Sequence, residues 1–569
     1  MSSSRKVAQQ QVETSPDALE KNNQSSSPYS IPKSEGPTNA ANIGETMEIA
    51  VEHHQAGRLP QAEKLYRFVL QINPNHPAAL HLLGVIAHQR GQHDASVELI
   101  GKAIKNNSGV PQFHNNVGVA FKALGNLEEA LAAYEKALLL NPDYAEAYNN
   151  MGNALQSKGR YAEALEKYKK AVSLKPDYAE AYRNMALTLQ IQGQYADAIK
   201  SCRQALRLEP DHAEAMNTTA SILQMQGRHA EAIEIYRQTL RLKPDYAEVH
   251  LNLGMALLLT GSFQEGWTEY RWRRYTKNFI YPHRYEMPRW DGSSFVGKRL
   301  LVHYEQGLGD NLQFARYLPM VKARGGTLTF EVSKSLLGLF QGFPGIDELV
   351  EASLSAAPAA KFDLYASILD LPATFGTTLE TIPADVPYLH ADRARVEGWR
   401  ERLSGPEFKV GIVWAGGPAH KNDHNRSCAL SQFAPLAQAP NVRLYGLQKG
   451  PPAKQVGELS DKITIINLAE QFHDFTDTAA ALHNLDLIVS VDTAVLHLAG
   501  AMGKPVWALL PFTPDWRWLL DRQDSPWYPT MRLFRQRKWG CWDDVFQRIA
   551  KELRILVSKN EVTSRKTNR

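Results

Sequence analysis

Glycine recurs at a fixed step of 34 residues through the first half of the chain. The residues of this series are Gly57, Gly91, Gly125, Gly159, Gly193, Gly227 and Gly261. A period of this length is typical of solenoids, in which each repeat is one supersecondary unit that stacks on the next. The first half of the chain is therefore predicted to form a stack of similar units.

Other residue columns keep the same step. The prolines of the series are Pro142, Pro176, Pro210 and Pro244, and the small residues are Gly84, Gly118, Gly152, Ala186, Ala220 and Gly254. Small residues let two antiparallel helices approach closely, glycine suits a turn that needs φ > 0, and proline ends the second helix. The pattern resembles the tetratricopeptide repeat. It implies an α-solenoid of about seven repeats over residues 43–277, a right-handed superhelix with a concave groove.

The segments beside the repeats differ in composition. Residues 1–41 and 558–569 are polar and poor in apolar side chains, so both are predicted to be disordered tails. Residues 267–291 mix aromatic side chains with Arg and Lys. We interpret them as a terminal helix followed by a connecting strap at 278–295, packed between domains; the alternative is a surface for nucleic acid.

Residues 296–557 alternate short apolar, β-branched runs with helical patterns, which indicates an α/β region with parallel sheets. The predicted strands are 299–304, 327–332, 409–414, 442–447, 463–467, 486–491 and 505–510. The region is long enough for two Rossmann-like halves, at 296–395 and 396–557, with a hinge within 383–408.

A glycine turn follows the first predicted strand. It contains Gly307 and Gly309, and Asp310 opens the next helix, whose N-terminus offers free N–H groups to an anion or a hydroxyl. An aspartate at the end of a parallel strand is well placed to act as a general base. The alternative is that Asp310 caps the helix. The third glycine of the dinucleotide fingerprint is replaced by Leu312, so NAD binding is a weak alternative.

Polar residues also follow the strands of the second half. Asp492 and Thr493 end one strand, Thr493 and the next N–H groups can hold a phosphate, and His497 lies on the same helical face. Either His497 contacts the ligand, or it makes a hydrogen bond in the core. Cationic groups beside a glycine turn suit a diphosphate, and two polar residues follow the next strand. These candidates are Lys421, Arg426, Gln448 and Lys449.

These motifs resemble the heptosyltransferase-type family, glycosyltransferase family 9, in its tetratricopeptide-fused bacterial branch. The resemblance rests on the GLGD turn at Gly307–Asp310 and on DTAVLHLAGAMGKP from Asp492 onward. It implies a GT-B fold and inverting transfer from a nucleotide sugar without a metal or other cofactor. It also implies that Asp310 is the base and that Arg426 or Lys421 contacts phosphate. The chain has no Asp-x-Asp, HExxH or Walker sequence, which agrees with a metal-free site.

The combination of repeats with a GT-B region also resembles the protein O-linked N-acetylglucosamine transferases, whose asparagine ladder grips an extended peptide. One repeat column is occupied by Asn116, Asn150, Asn184 and Asn252, and Thr218 interrupts it. An amide can donate to and accept from a peptide bond, so the column suits peptide binding. The alternative is that asparagine is simply common at this exposed position.

Residues 511–542 contain five of the eleven tryptophans, with arginines between them. The tryptophans are Trp516, Trp518, Trp527, Trp539 and Trp542. Aromatic faces stack on sugars and bases, and arginines bind phosphates. We interpret most of these residues as packing of this segment against the N-terminal half.

Composition excludes several other classes of protein. The chain has no apolar run long enough to span a membrane, and its first residues lack the apolar stretch expected of a signal peptide. Its net charge of +4 does not indicate a nucleic-acid binder. Its three cysteines are far apart, which argues against disulfides. We therefore expect a cytoplasmic glycosyltransferase whose partners are a nucleotide sugar and a protein or peptide held by the repeats. The alternatives are a scaffold with a degenerate transferase domain and a lipopolysaccharide-core sugar transferase.

Overall fold

The computed structural model of the protein describes residues 40–277, 279, 285–353, 361–417, 422–459 and 463–567. The chain divides into two compact units, residues 1–218 and 219–569, so the division falls inside the predicted repeat region. Within the described ranges, no helix combines the length and the apolar character that crossing a membrane would need. The predicted tail at 1–41 lies outside the described residues, apart from 40 and 41, which begin the first helix.

The described chain between residues 40 and 270 forms seven successive helix pairs. These helices are α1 (Ala40–Gln55), α2 (Leu59–Ile72), α3 (Pro77–Gln89), α4 (His93–Asn106), α5 (Pro111–Ala123), α6 (Leu127–Leu140), α7 (Ala145–Ser157), α8 (Tyr161–Leu174), α9 (Ala179–Ile191), α10 (Tyr195–Leu208), α11 (Ala213–Met225), α12 (His229–Leu242), α13 (Ala247–Leu259) and α14 (Phe263–Tyr270). This confirms the predicted solenoid.

The repeat columns do what their chemistry predicts. The seven turn glycines have φ between 70° and 87°, a conformation that costs glycine nothing. A Cβ on Gly118 would lie 2.7 Å from the ring of Tyr134, and one on Gly152 would lie 2.6 Å from that of Tyr168. In these two repeats a buried tyrosine of the second helix therefore requires the small residue, and at Gly84 the side chain of Ile100 does so.

The N-terminal α/β half contains a parallel four-stranded sheet in the order β3-β2-β1-β4. Its strands are β1 (Arg299–His303), β2 (Thr327–Val332), β3 (Glu348–Glu351) and β4 (Leu364–Ser367). Its helices are short: α15 (Leu308–Phe314), α16 (Leu318–Lys322), α17 (Leu337–Phe340) and α18 (Leu371–Thr374).

The C-terminal half contains a parallel six-stranded sheet in the order β10-β9-β8-β5-β6-β7. Its strands are β5 (Phe408–Val413), β6 (Val442–Gly446), β7 (Ile465–Asn467), β8 (Leu487–Val491), β9 (Val506–Leu510) and β10 (Met531–Arg535). Its helices are α19 (Arg393–Arg402), α20 (Asp423–Arg426), α21 (Ala434–Ala437), α22 (Gln455–Glu458), α23 (Phe475–His483), α24 (Ala494–Ala501) and α25 (Asp543–Thr567).

All seven predicted strands are present, and the sequence missed β3, β4 and β10. The missed strands lie at the edges of their sheets. On its outer side β4 forms only an isolated bridge, between Tyr365 and Arg289. Charged residues interrupt β3 and β10. The prediction of a disordered tail at 558–569 is wrong for residues 558–567, which continue α25. Their composition is polar, but they contain neither glycine nor proline to end the helix.

Candidate functional site

The two predicted motifs follow strands of different sheets and meet through their helices. The glycine turn after β1 leads into α15, and the DTAVLH sequence after β8 leads into α24. A Cβ on Gly309 would lie 2.8 Å from Cδ2 of His497 and 3.5 Å from Cα of Ala494. Only glycine therefore allows α15 to lie this close to α24.

Asp310 is held by groups from both halves. Its Oδ2 accepts a hydrogen bond of 2.8 Å from the N–H of Gly307, and its Oδ1 is ion-paired with Arg517. Burial raises the pKa of Asp310, while Arg517, His497 and the Gly307 N–H lower it, and the balance lies above its usual value. Asp310 thus makes the helix-capping contact and also belongs to a charged cluster.

Asp492 lies beside this cluster at the end of β8. Its Oδ1 is 3.4 Å from Nε2 of His497, and its Oδ2 accepts a hydrogen bond of 2.8 Å from the indole N–H of Trp518. Burial raises the pKa of Asp492, but the contacts with His497 and Trp518 outweigh burial and hold that pKa at about 2. The ring of His497 stacks on Trp518, and its Nδ1 is 3.0 Å from the Tyr528 hydroxyl. His497 therefore makes the core contacts of the second interpretation and also faces Asp492.

The other predicted phosphate ligands follow β5 and β8, which are neighbours in the sheet. Thr493 precedes α24, and its hydroxyl is 3.1 Å from that of Ser490. Arg426 is paired with Asp423 and lies across Gly416, where a Cβ would be 2.5 Å from its guanidinium. Because carboxyl ends of adjacent parallel strands share one edge, Thr493 and Arg426 belong to the same edge. Lys421 lies outside the described residues.

Gln448 and Lys449 make internal contacts. The side-chain oxygen of Gln448 accepts from the N–H groups of Trp414, at 3.2 Å, and Ala415, at 2.9 Å, and its amide donates to the Lys449 carbonyl. The ammonium of Lys449 donates to the carbonyl of Phe472. Gln448 and Lys449 thus connect loops at the carboxyl edge of the sheet. Their contact with a nucleotide stays a prediction.

The asparagine column of the first unit forms hydrogen bonds between successive repeats. Asn150 donates to Asn115 at 3.0 Å, and Asn184 donates to Asn149 at 3.0 Å. In the preceding repeat, the amide of Asn116 is 2.9 Å from Nε2 of His81. The column therefore links each repeat to the one before it. Asn252 occupies the equivalent position of α13 in the second unit.

The segment before the α/β region is a packed joint. The 3₁₀ turn Arg271–Tyr275 places Arg273 between Glu305 and Asp370, with contacts of 2.7 to 2.8 Å and with all three side chains at most 4% exposed. The indole N–H of Trp267 donates to the carbonyl of Thr377 at 2.7 Å. These contacts agree with the packed-joint interpretation for the described part of 267–291.

Tryptophans of the 511–542 segment pack against the N-terminal half and the last repeat. Trp516 stacks on Phe314 and meets Trp267 edge-on, and Trp527 meets Phe314 edge-on. The interpretation of this segment as packing is correct for these two residues. It did not predict that Trp518 would contact Asp492, or that Arg517, one of the arginines between these tryptophans, would contact Asp310. The alternation of Arg with Trp directly after a strand was the signal available for them.

The fold and the site define a class of protein: a helical-repeat solenoid followed by two parallel α/β halves whose strand-end motifs meet. Comparison with known families agrees. Residues 434–539 match the model of glycosyltransferase family 9 (heptosyltransferase). Tetratricopeptide-repeat models match residues 53–115, 118–159, 152–193, 177–245 and 226–270. The chain thus resembles tetratricopeptide-repeat proteins over 53–270 and glycosyltransferase family 9 over 434–539.

A curated relative matches half of the chain. It is Protein FlbA of Caulobacter vibrioides, 31% identical over 321 residues, and the match covers 52% of this chain and 53% of FlbA. The chain therefore spans about half the length of this relative.

Solved structures match part of the chain. MamA is 27% identical, with 29% of this chain and 97% of MamA covered and a TM-score of 0.27. A tetratricopeptide-repeat protein of Thermus thermophilus is 26% identical, with 32% of this chain and 99% of that protein covered and a TM-score of 0.30.

Proposed function

We propose that this protein transfers a sugar from a nucleotide-sugar donor to an acceptor hydroxyl on a protein or peptide. The transfer is inverting, needs no metal ion and takes place between the two halves of a GT-B domain. The observation that carries this proposal is the meeting of the Asp310 turn with the Asp492–His497 motif. It brings the carboxylate of Asp310, from one half, to the carboxyl edge of the sheet in the other half, where ligands of parallel α/β folds bind.

Asp310 acts as the base. It takes the proton of the acceptor hydroxyl while the acceptor oxygen forms a bond to the anomeric carbon and the bond from that carbon to the diphosphate breaks. A carboxylate has about four acceptor positions, so the contacts with Gly307 and Arg517 leave room for a hydroxyl. Burial raises the pKa of Asp310, and a carboxylate of raised pKa is a stronger base for removing the proton of the hydroxyl.

The leaving diphosphate is bound at the carboxyl edge of the C-terminal sheet. The supporting groups there are the Thr493 hydroxyl, the N-terminus of α24 and a cation of the loop after β5, Arg426 or Lys421. These groups supply hydrogen bonds and positive charge where negative charge develops.

The repeats hold the acceptor as an extended chain. Asn116 and Asn150 each use part of their hydrogen-bonding capacity on the neighbouring repeat, and the rest can pair with a peptide bond. Asn184 is only 4% exposed and pairs with Asn149 and Arg183, so it supports the column and does not itself face a peptide. The bonds between repeats fix the amides in place, which lowers the entropy lost when a peptide binds.

The test begins with nucleotide sugars screened by thermal shift, followed by mass spectrometry of proteins modified in cells that express the chain. We expect one class of nucleotide sugar to raise the melting temperature and the matching sugar to appear on a protein. The transfer should continue in EDTA. Loss of activity in EDTA with recovery in Mn²⁺ would contradict the metal-free mechanism. Sugar found only on lipopolysaccharide would contradict the protein acceptor.

A further inference from the structure

Arg517, one of the arginines between the tryptophans of residues 511–542, connects the two α/β halves. It comes from the 3₁₀ turn Trp516–Trp518, after β9 in the C-terminal half. Its guanidinium, 7% exposed, is ion-paired with Asp310 of the N-terminal half. Its Nε donates to the side-chain oxygen of Gln313 at 2.7 Å, and another nitrogen donates to Asp515 at 2.8 Å. Each of the three guanidinium nitrogens thus has an acceptor.

The plane of this guanidinium is fixed as well. It lies over the ring of Trp516 at 4.4 Å and near that of Phe314 at 5.4 Å. A rigid fork with three acceptors and two aromatic faces has little freedom to rotate. Arg517 therefore presents one defined edge to Asp310.

The backbone that carries Arg517 is held under strain. Leu519 and Asp521, two residues that are not glycine, both have φ of 53°. Arg535 holds this segment by donating to the carbonyls of Trp518 and Arg522. Strained backbone that the surrounding structure holds in place is concentrated at functional sites.

We propose that Arg517 is the positioning residue of Asp310: it keeps that carboxylate ionised and aimed while the acceptor hydroxyl loses its proton. This inference rests on the transferase function proposed above. Arg517 acts through Asp310 and not on the sugar nucleotide: each of its three guanidinium nitrogens already has an acceptor, in Asp310, Gln313 or Asp515.

The charged and titratable groups around Asp310 come from four elements. They are Arg517 and Asp515 after β9, His497 of α24 and Tyr270 of α14, together with the Gly307 N–H of its own turn. Burial opposes the charge of Arg517, but the carboxylates of Asp515 and Asp310 outweigh burial and raise its pKa. Arg517 therefore stays cationic at every pH at which the enzyme can be assayed.

The sign of the pH effect follows from these contacts. Arg517 lowers the pKa of Asp310, so its removal lets burial raise that pKa further. A base works in its deprotonated form, so the ascending limb of kcat/KM against pH moves to higher pH. A purely structural arginine would lower kcat/KM at every pH and leave the limb in place.

The experiment compares the full-length wild-type chain with Arg517→Gln, Arg517→Lys and Arg522→Gln, using the donor that the screen identifies. Arg522 is the matched control, an arginine of the same loop that pairs with Asp524 and not with Asp310. We expect Arg517→Gln to move the limb upward by about one pH unit or more, the size of one opposite charge at contact. The lysine variant should keep the limb near that of wild type, since it keeps the charge. The Arg522→Gln control should leave both the ascending limb and the value of kcat/KM unchanged.

Calorimetry with UDP, GDP and ADP distinguishes two possible roles of the Arg517 charge: acting on Asp310, or binding the diphosphate of the sugar nucleotide. The Arg517→Gln variant should bind the preferred diphosphate within about threefold of wild type, because a group that acts on the base does not contribute to ground-state affinity. An unmoved limb in both Arg517 variants, or a fall in diphosphate affinity of about tenfold or more, would overturn the inference. A wild-type chain that turns over no nucleotide sugar would overturn the proposed function, and this inference with it.

Discussion

Position 309 requires glycine because of a close neighbour in the other half of the α/β region, and not because of its backbone conformation. It is absent from the residues with positive φ, so alanine would suit its backbone. Its constraint is the 2.8 Å approach of a Cβ to the imidazole of His497, which is itself held by Asp492, Tyr528 and the stack on Trp518. Moving this imidazole away would break those contacts, which costs free energy.

We expect Gly309→Ala to lower the free energy of unfolding by about 1–3 kcal/mol, the usual cost of overpacking a rigid site. Gly417→Ala is the control, because a Cβ there meets no atom of the described residues within 4 Å. Chemical denaturation of both variants measures the difference. Equal stability of the Gly309 variant and wild type would mean that α15 and α24 separate freely.

At the scale of elements, the last helix of the repeats and the turn after it are built into the α/β region. Trp267 and Tyr270 of α14 lie against Trp516, and the next turn inserts Arg273 between two buried carboxylates. Arg274 also reaches Asp370, at 3.1 Å. Removing one partner of a buried ion pair leaves an uncompensated charge, which costs more than the pair itself contributes.

Arg273→Met should therefore lower the free energy of unfolding by about 3–5 kcal/mol, since Glu305 and Asp370 lose their shared cation. Arg271→Met, at an exposed position of the same turn, should stay within about 0.5 kcal/mol of wild type. Urea unfolding followed by tryptophan fluorescence compares the two. A loss of the same size in both variants would show that the buried network does not tie α14 to the sheet.

For the whole molecule, the sequence predicted those features that repeat or that follow strand ends. The 34-residue step of glycine gave the helix pairs, and the glycine turn at Gly307 and the DTAVLH sequence gave the two strand-end motifs that meet. The sequence could not predict contacts between distant segments, such as Arg517 with Asp310, because no local pattern encodes a pair 207 residues apart. It also missed the edge strands β3, β4 and β10, whose composition is only partly apolar.

The most direct test of the account is turnover and donor binding by Asp310→Asn. Asparagine keeps the size of aspartate and its side-chain oxygen can still accept from Gly307 and Arg517. Arg517 also keeps Asp515 as its counter-charge, so the helix cap and the melting temperature should change little. Loss of the base should lower kcat by about 10²–10⁴-fold and leave donor affinity by calorimetry nearly unchanged. Asp524→Asn, at an exposed site of the C-terminal half, should behave as wild type. Turnover of Asp310→Asn within about threefold of wild type would contradict the role of Asp310 as general base.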